Sequence, residues 1–155
     1  MRGNPDVLQQ LNEVLTAELT AINQYFIHSE MCNNWGTPHL ADVFRDASIV
    51  AMKSAEKIIR RILYLDGRPD MSGYMKIAVG NRVPLQLEND IKLVKEIISR
   101  MNKTISICRH ADDDGSRHLL KELLKREEKY IDWLEAQVEQ ISQMGEANYL
   151  SRKMA

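Results

Sequence analysis

Met52 stands in the run Ile49-Val50-Ala51-Met52-Lys53-Ser54-Ala55, one thioether sulfur on a helix face otherwise built of small residues. Thioether sulfur is a soft metal donor, yet by residue type alone a helical methionine reads as a core gap-filler. Two carboxylates, Glu18 and Glu127, fall on the apolar stripes of other helices, and Tyr130 lies one turn beyond Glu127. In a four-helix bundle, a dinuclear iron centre takes one Glu from each of two helices and a Glu-x-x-His pair from each of the others. The mid-helix positions that would supply such a centre are Glu18, Ala51, Ser54, Val94, Glu127 and Tyr130. Only Glu18 and Glu127 are of the required type. Ala51, Ser54, Val94 and Tyr130 do not offer the oxygen and imidazole donors that redox-cycling iron takes together. The two carboxyls are therefore expected to sit protonated, or hydrogen-bonded to Tyr25, Ser54 or Tyr130, because a buried unpaired carboxylate is costly.

Long helices must bring these residues to one level. The first is expected over about 5–34, capped by Asn4 with Pro5 at its first position, and its inward stripe is Leu8, Leu11, Leu15, Glu18, Ile22, Tyr25 and Ser29. A second, over about 39–65, follows Thr37-Pro38 and turns Leu40, Phe44, Ala47, Ala51, Ser54, Ile58 and Leu65 inward. Both carry a spare apolar ridge, Leu19, Asn23 and Phe26 on one, Ile49, Met52, Ala55 and Ile59 on the other. A helix with two such faces is buried twice, the second time against another copy of the chain. Residues 67–82 form a connection too long for a tight hairpin, with Ile77-Ala78-Val79 able to lie extended. Helices over about 83–110 and 116–143 follow. The third turns Leu87, Ile91, Val94, Ile98, Met101, Ile105 and Cys108 inward; the run Asp112-Asp113-Asp114 caps the fourth. Gly145 stops that helix before a short fifth over 146–153. The fold class is all-α: one domain over 1–155, a four-helix bundle with one long crossover and a short C-terminal helix, the ferritin-like topology.

The bulk properties exclude several functions. The chain has 155 residues and a net charge of −1, with none of the basic bias of a nucleic-acid binder. No run approaches the ~20 apolar residues of a membrane span, and the first residues lack the apolar core of a signal peptide. Cys32 and Cys108 read as reduced thiols. The expected location is cytoplasmic. The histidines, His28, His39, His110 and His118, fall off the inward stripes and are read as surface or interface residues.

The segments Glu18-Leu19-Thr20-Ala21-Ile22-Asn23-Gln24-Tyr25-Phe26, Asn34-Trp35-Gly36, Arg60 to Gly67, Tyr130 to Glu135 and Met144 to Leu150 together resemble bacterioferritin over essentially the whole chain. The resemblance implies a hollow 24-subunit shell storing a ferric iron mineral. It also implies haem b shared by two subunits across each two-fold interface, with one methionine from each side on the iron. Met52 stands at that methionine position, and Leu19, Ile22, Asn23, Phe26, Ile49 and Ala55 match the lining. Arg45 and Lys53 are candidates to meet a propionate. The ferroxidase ligands of the family match positions 18, 51, 54, 94, 127 and 130, and its interior iron-handling pair matches Asp46 and Val50.

Taken together, these readings give a storage-shell subunit that carries haem and supports electron transfer for iron release. With its ligand set incomplete, the chain is expected not to be an enzyme, a mixed assembly oxidising iron through a ferroxidase-competent bacterioferritin subunit. A small reductase or ferredoxin would supply electrons. The alternative is an unconventional ferroxidase using Glu18, Glu127 and Tyr130. A DNA-protecting mini-ferritin is disfavoured by the fifth helix and the lack of a basic tail.

Overall fold

The computed structural model describes residues 1–154, and these form five helices. They are α1 (Pro5–Asn34), α2 (Pro38–Tyr64), α3 (Val83–His110), α4 (Asp114–Met144) and α5 (Glu146–Lys153). Asn4 caps α1, its Oδ1 accepting from the amides of Asp6 at 2.8 Å and Val7 at 3.3 Å. Thr37 precedes Pro38 but does not cap α2; its hydroxyl donates to the Cys32 carbonyl at 3.0 Å and closes the turn from the other side. Asp113 caps α4 by accepting from the Ser116 amide, and Arg61 of α2 donates to the same carboxylate oxygen at 3.0 Å. This bridge ties the α3–α4 turn to α2, and the helix begins two residues earlier than expected.

α1 packs on α2, α3 on α4 and α1 on α3, while α5 lies against α4 and α2. Contacts between α1 and α3 set their relative direction. Cys32 meets Gln86, Gln24 donates to Asp90, and Glu13 meets Arg100. As residue numbers fall along α1 they rise along α3, so the two helices are antiparallel. A short turn makes α2 antiparallel to α1 as well. α2 and α3 are thus parallel, and the chain must travel the length of the bundle between them.

The crossover makes this passage as irregular backbone; Ile77-Ala78-Val79 does not form a strand. Its amides are satisfied by α1 instead. Asp70 N–H donates to Asn12 Oδ1 at 2.8 Å, Met75 N–H to Thr20 Oγ1 at 3.0 Å, Ala78 N–H to Gln24 Oε1 at 3.0 Å and Gly80 N–H to His28 Nε2 at 2.9 Å. Positions 12, 20, 24 and 28 follow one i, i+4 ridge that winds slowly round the helix. At 16, between them, Thr16 lies so close to Gly73 that a Cβ there would come within 2.9 Å of its hydroxyl.

This arrangement corrects the placing of His28 at the surface: its side chain is fully buried. Because Nε2 accepts from Gly80, the ring proton of the neutral imidazole lies on Nδ1, which sits 3.0 Å from Asp90 Oδ1. Asp90 is buried too, and also accepts from Gln24 Nε2 at 2.8 Å. Burial raises its pKa, and the contacts with His28 and Gln24 pull it back. His39, His110 and His118 are exposed.

The expected stripes need two further corrections. In α1 the buried set includes Val7, Val14, Ala21 and His28, whereas Leu8 and Ile22 are half-buried. In α3 the buried line runs through Val83, Leu87, Asp90, Val94, Ile97, Met101, Thr104 and Cys108, leaving Ile91, Ile98 and Ile105 on its flank. At the far end Gly145, at φ +84°, turns the chain into α5. Tyr149 of α5 is buried, and its hydroxyl donates to Gln137 Oε1 at 2.7 Å.

Replacing His28 with Leu keeps the volume but strands the Gly80 amide and leaves the Asp90 carboxylate only its bond from Gln24. Breaking a buried polar pair in this way costs about 3 kcal/mol. The denaturant midpoint of His28→Leu should fall accordingly, and hydrogen exchange should quicken at Gly80.

Candidate functional site

Glu18 of α1 and Glu127 of α4 meet inside the bundle. Glu18 is fully buried and Glu127 is 8% exposed. No donor reaches either oxygen of Glu18, and of the two expected states, protonated or hydrogen-bonded to Tyr25, Ser54 or Tyr130, the structure lacks the hydrogen bonds. Glu127 is the charged neighbour of Glu18, so a hydrogen bond between them requires that one hold a proton. Burial raises the pKa of both carboxyls, and for Glu18 the neighbouring Glu127 charge raises it further.

Two phenols border the pair. Tyr25 and Tyr130 pack edge to face with centroids 5.5 Å apart, and Tyr130 stacks on Trp133 at 6.1 Å and 5°. Both hydroxyls are covered and without a partner. Burial first, then nearby carboxylates, push both phenols well above their ordinary range, so they stay protonated donors. Ala51, Ser54 and Val94 are buried beside this level. Among the described residues, no three His, Cys, Asp or Glu side chains gather to hold a metal ion.

On the α2–α4 side the level opens into a cleft of about 600 Å³. Val43, Asp46, Ala47, Val50, Ala51 and Lys53 form its α2 wall, and Arg126, Glu127, Lys129, Tyr130 and Trp133 its α4 wall, with Tyr25 behind. Asp46 and Val50, the positions matching the interior iron-handling pair, are thus parts of this cleft, as is Lys53.

Met52 lies elsewhere. It is 50% exposed on the outer face of α2, with Ile49 exposed one turn before it and Phe26 of α1 52% exposed. Leu19 and Ile22 are half-buried, and Asn23 is exposed, its amide donating to the Leu19 carbonyl at 3.2 Å. Ala55 turns into the core of its own chain. Arg45, two turns before Met52, shares its face and is exposed. Methionine as an internal gap-filler does not describe Met52.

A fold of four long helices with one crossover, and a carboxylate pair at mid-height, defines a ferritin-like protein. The chain belongs to that family: residues 8–144 match the ferritin-like domain. Its relatives include the bacterioferritin of Mycobacterium leprae, 45% identical over 149 residues, which cover 96% of this chain and 94% of that protein. Bacterioferritin BfrA of Mycobacterium tuberculosis is 43% identical with the same coverage. Streptomyces coelicolor bacterioferritin is 40% identical, over 97% of this chain and 90% of its own length. The chain is an iron-storage subunit of ferritin-like build.

The comparisons correct one expectation. The incomplete ligand set pointed to a chain that is not an enzyme, but its relatives at 40–45% identity are bacterioferritins, and bacterioferritin is a ferroxidase. The non-enzyme reading does not stand. No helix is long and apolar enough to cross a membrane among the described residues.

The acid pair gives a pH signature. Both carboxyls have folded-state pKa values above their unfolded ones, so the native state keeps a proton that the unfolded chain has released. Stability is then full at pH values below the ordinary carboxylate range and declines as pH rises through the raised values. One retained proton is worth about 1.4 kcal/mol per pH unit across that window. Glu18→Gln, whose amide can donate to Glu127, should flatten the decline in a series of denaturant melts between acid and neutral pH. An unchanged slope would show that the pair is not holding the proton.

Proposed function

We propose that this chain is the haem-carrying subunit of a bacterioferritin-type shell, cytoplasmic and shared with a second subunit that has the full dinuclear ligand set. The observation that carries this reading is Met52, a large thioether half-exposed on an apolar strip that its own bundle leaves uncovered.

Residues of suitable chemistry surround that sulfur. A two-fold axis sets identical residues opposite one another, so one Met52 per subunit provides a pair of soft axial donors. Leu19, Ile22, Phe26 and Ile49 supply the apolar walls, Asn23 adds a polar edge, and Ala55 keeps the floor shallow. Arg45 lies on the right face to meet a propionate; Lys53 lines the opposite cleft and is the poorer candidate. Haem held there supplies a one-electron carrier within the shell wall. The protein's part is to hold it by two thioethers and to exclude water with the aliphatic walls. Electrons from a small reductase or ferredoxin could then pass inward to ferric mineral and favour release. A ligand-complete bacterioferritin subunit works beside this one in the shell.

Two measurements test the proposal. Met52→Leu should lose axial sulfur ligation while the shell still assembles, since exchange of Met for Leu costs under about 1.5 kcal/mol. Met52→His should keep haem with an altered optical spectrum. An unchanged spectrum in Met52→Leu would remove Met52 from the site. Native purification followed by mass spectrometry should find two chain masses in one particle; shells of this chain alone, loaded with iron, would count against co-assembly.

A further inference from the structure

We propose that the cleft between α2 and α4 is a binding site for a planar hydroxyaromatic carboxylate, seated between the alanine face of α2 and the Tyr130–Trp133 stack. The proposal is independent of haem at Met52, which occupies a different face of α2.

The cleft is built from two unlike walls. Ala47 and Ala51, one helical turn apart, present almost no side-chain bulk, and Val43 and Val50 extend the same aliphatic surface. Opposite them Tyr130 and Trp133, stacked with their planes 5° apart, form an aromatic wall. A slot with one flat aromatic wall and one smooth aliphatic wall favours a planar ring over a branched ligand, because stacking adds to area burial. At about 600 Å³ its size is within the range of small-molecule sites and exceeds what a single ring fills. A two-ring ligand suits it.

The polar groups set the ends of that ligand. Lys53, Arg126 and Lys129 stand around the mouth, and none makes an ion pair among the described residues. Asp46 is the one acid beside them, so the rim carries a net positive excess that recognises an anion. Glu127 lies at the inner end, just reachable from the cleft, as an acceptor for a hydroxyl proton. The unpartnered, covered hydroxyls of Tyr25 and Tyr130 lie at the same depth. An anionic end at the mouth, a flat apolar body and a hydroxyl at depth describe a hydroxyaromatic carboxylate.

The probe is 6-hydroxy-2-naphthoate, whose two polar groups lie at opposite ends and do not chelate iron together. Titrated into the assembled protein and followed by calorimetry, it should bind saturably at one per subunit. Its methyl ester, which lacks the charge, should bind at least about tenfold more weakly, equivalent to 1.4 kcal/mol. In Lys53→Ala/Lys129→Ala, a change of exposed residues only, the acid should fall towards the affinity of the ester while the ester is unaffected. Ala51→Leu, which fills the slot, should weaken both. Equal affinity of acid and ester, absence of saturation, or full affinity in a folded Ala51→Leu protein would each overturn the proposal.

Discussion

The bundle depends on satisfying the backbone of its one long crossover. A chain that must run parallel to α1 for most of its length exposes a series of amides, and amides buried without acceptors are costly. α1 meets this need with Asn12, Thr20, Gln24 and His28, polar residues on one helical line. The consequence is that α1 has three duties around its circumference. One face packs into the core, a second holds the crossover, and the third, with Leu19, Asn23 and Phe26, is left for a neighbour. α2 holds no part of the crossover through such a line, and Ile49 and Met52 are exposed on its surface.

At mid-height the core is not uniformly apolar. Ala51 and Val94 are comfortable in apolar surroundings, but Glu18 and Glu127 are acids in a place that disfavours charge. Their mutual approach resolves the conflict by retaining a proton, not by recruiting the nearby phenols. The phenols themselves, packed edge to face, keep unpartnered hydroxyls. On the side of the level facing α2 and α4, Ala47 and Ala51 carry little side-chain bulk, and the cleft opens there.

Much of this was legible in the sequence. Proline after Asn4 and Thr37, the Asp112-Asp113-Asp114 run and the glycine at 145 mark helix ends because each has a local backbone cause. The apolar surplus on the first two helices was visible as well, since it is a matter of spacing. His28 and Asp90 were not legible, because burial of a polar residue depends on a partner distant in sequence; Gly80 and Gln24 supply those partners only once the crossover is laid down. The flanking place of Ile91, Ile98 and Ile105 was hidden for a related reason. An isoleucine line looks like a core, yet the line through Asp90, Val94 and Ile97 is the one that faces α1. The non-enzyme reading failed differently, by treating one chain's donor list as a statement about the family's chemistry.

The polar line of α1 has a further consequence for how this chain can change. Each residue of an α-helix turns the next by 100°, so one residue gained or lost between Asn12 and His28 would swing the later acceptors away from the amides they serve. It would also carry Glu18 or Tyr25 out of the core in the same stroke. α1 therefore acts as a ruler whose graduations are read by three neighbours at once. Length variation should collect in the turn at Trp35-Gly36 and beyond Tyr149, where no such scale is kept.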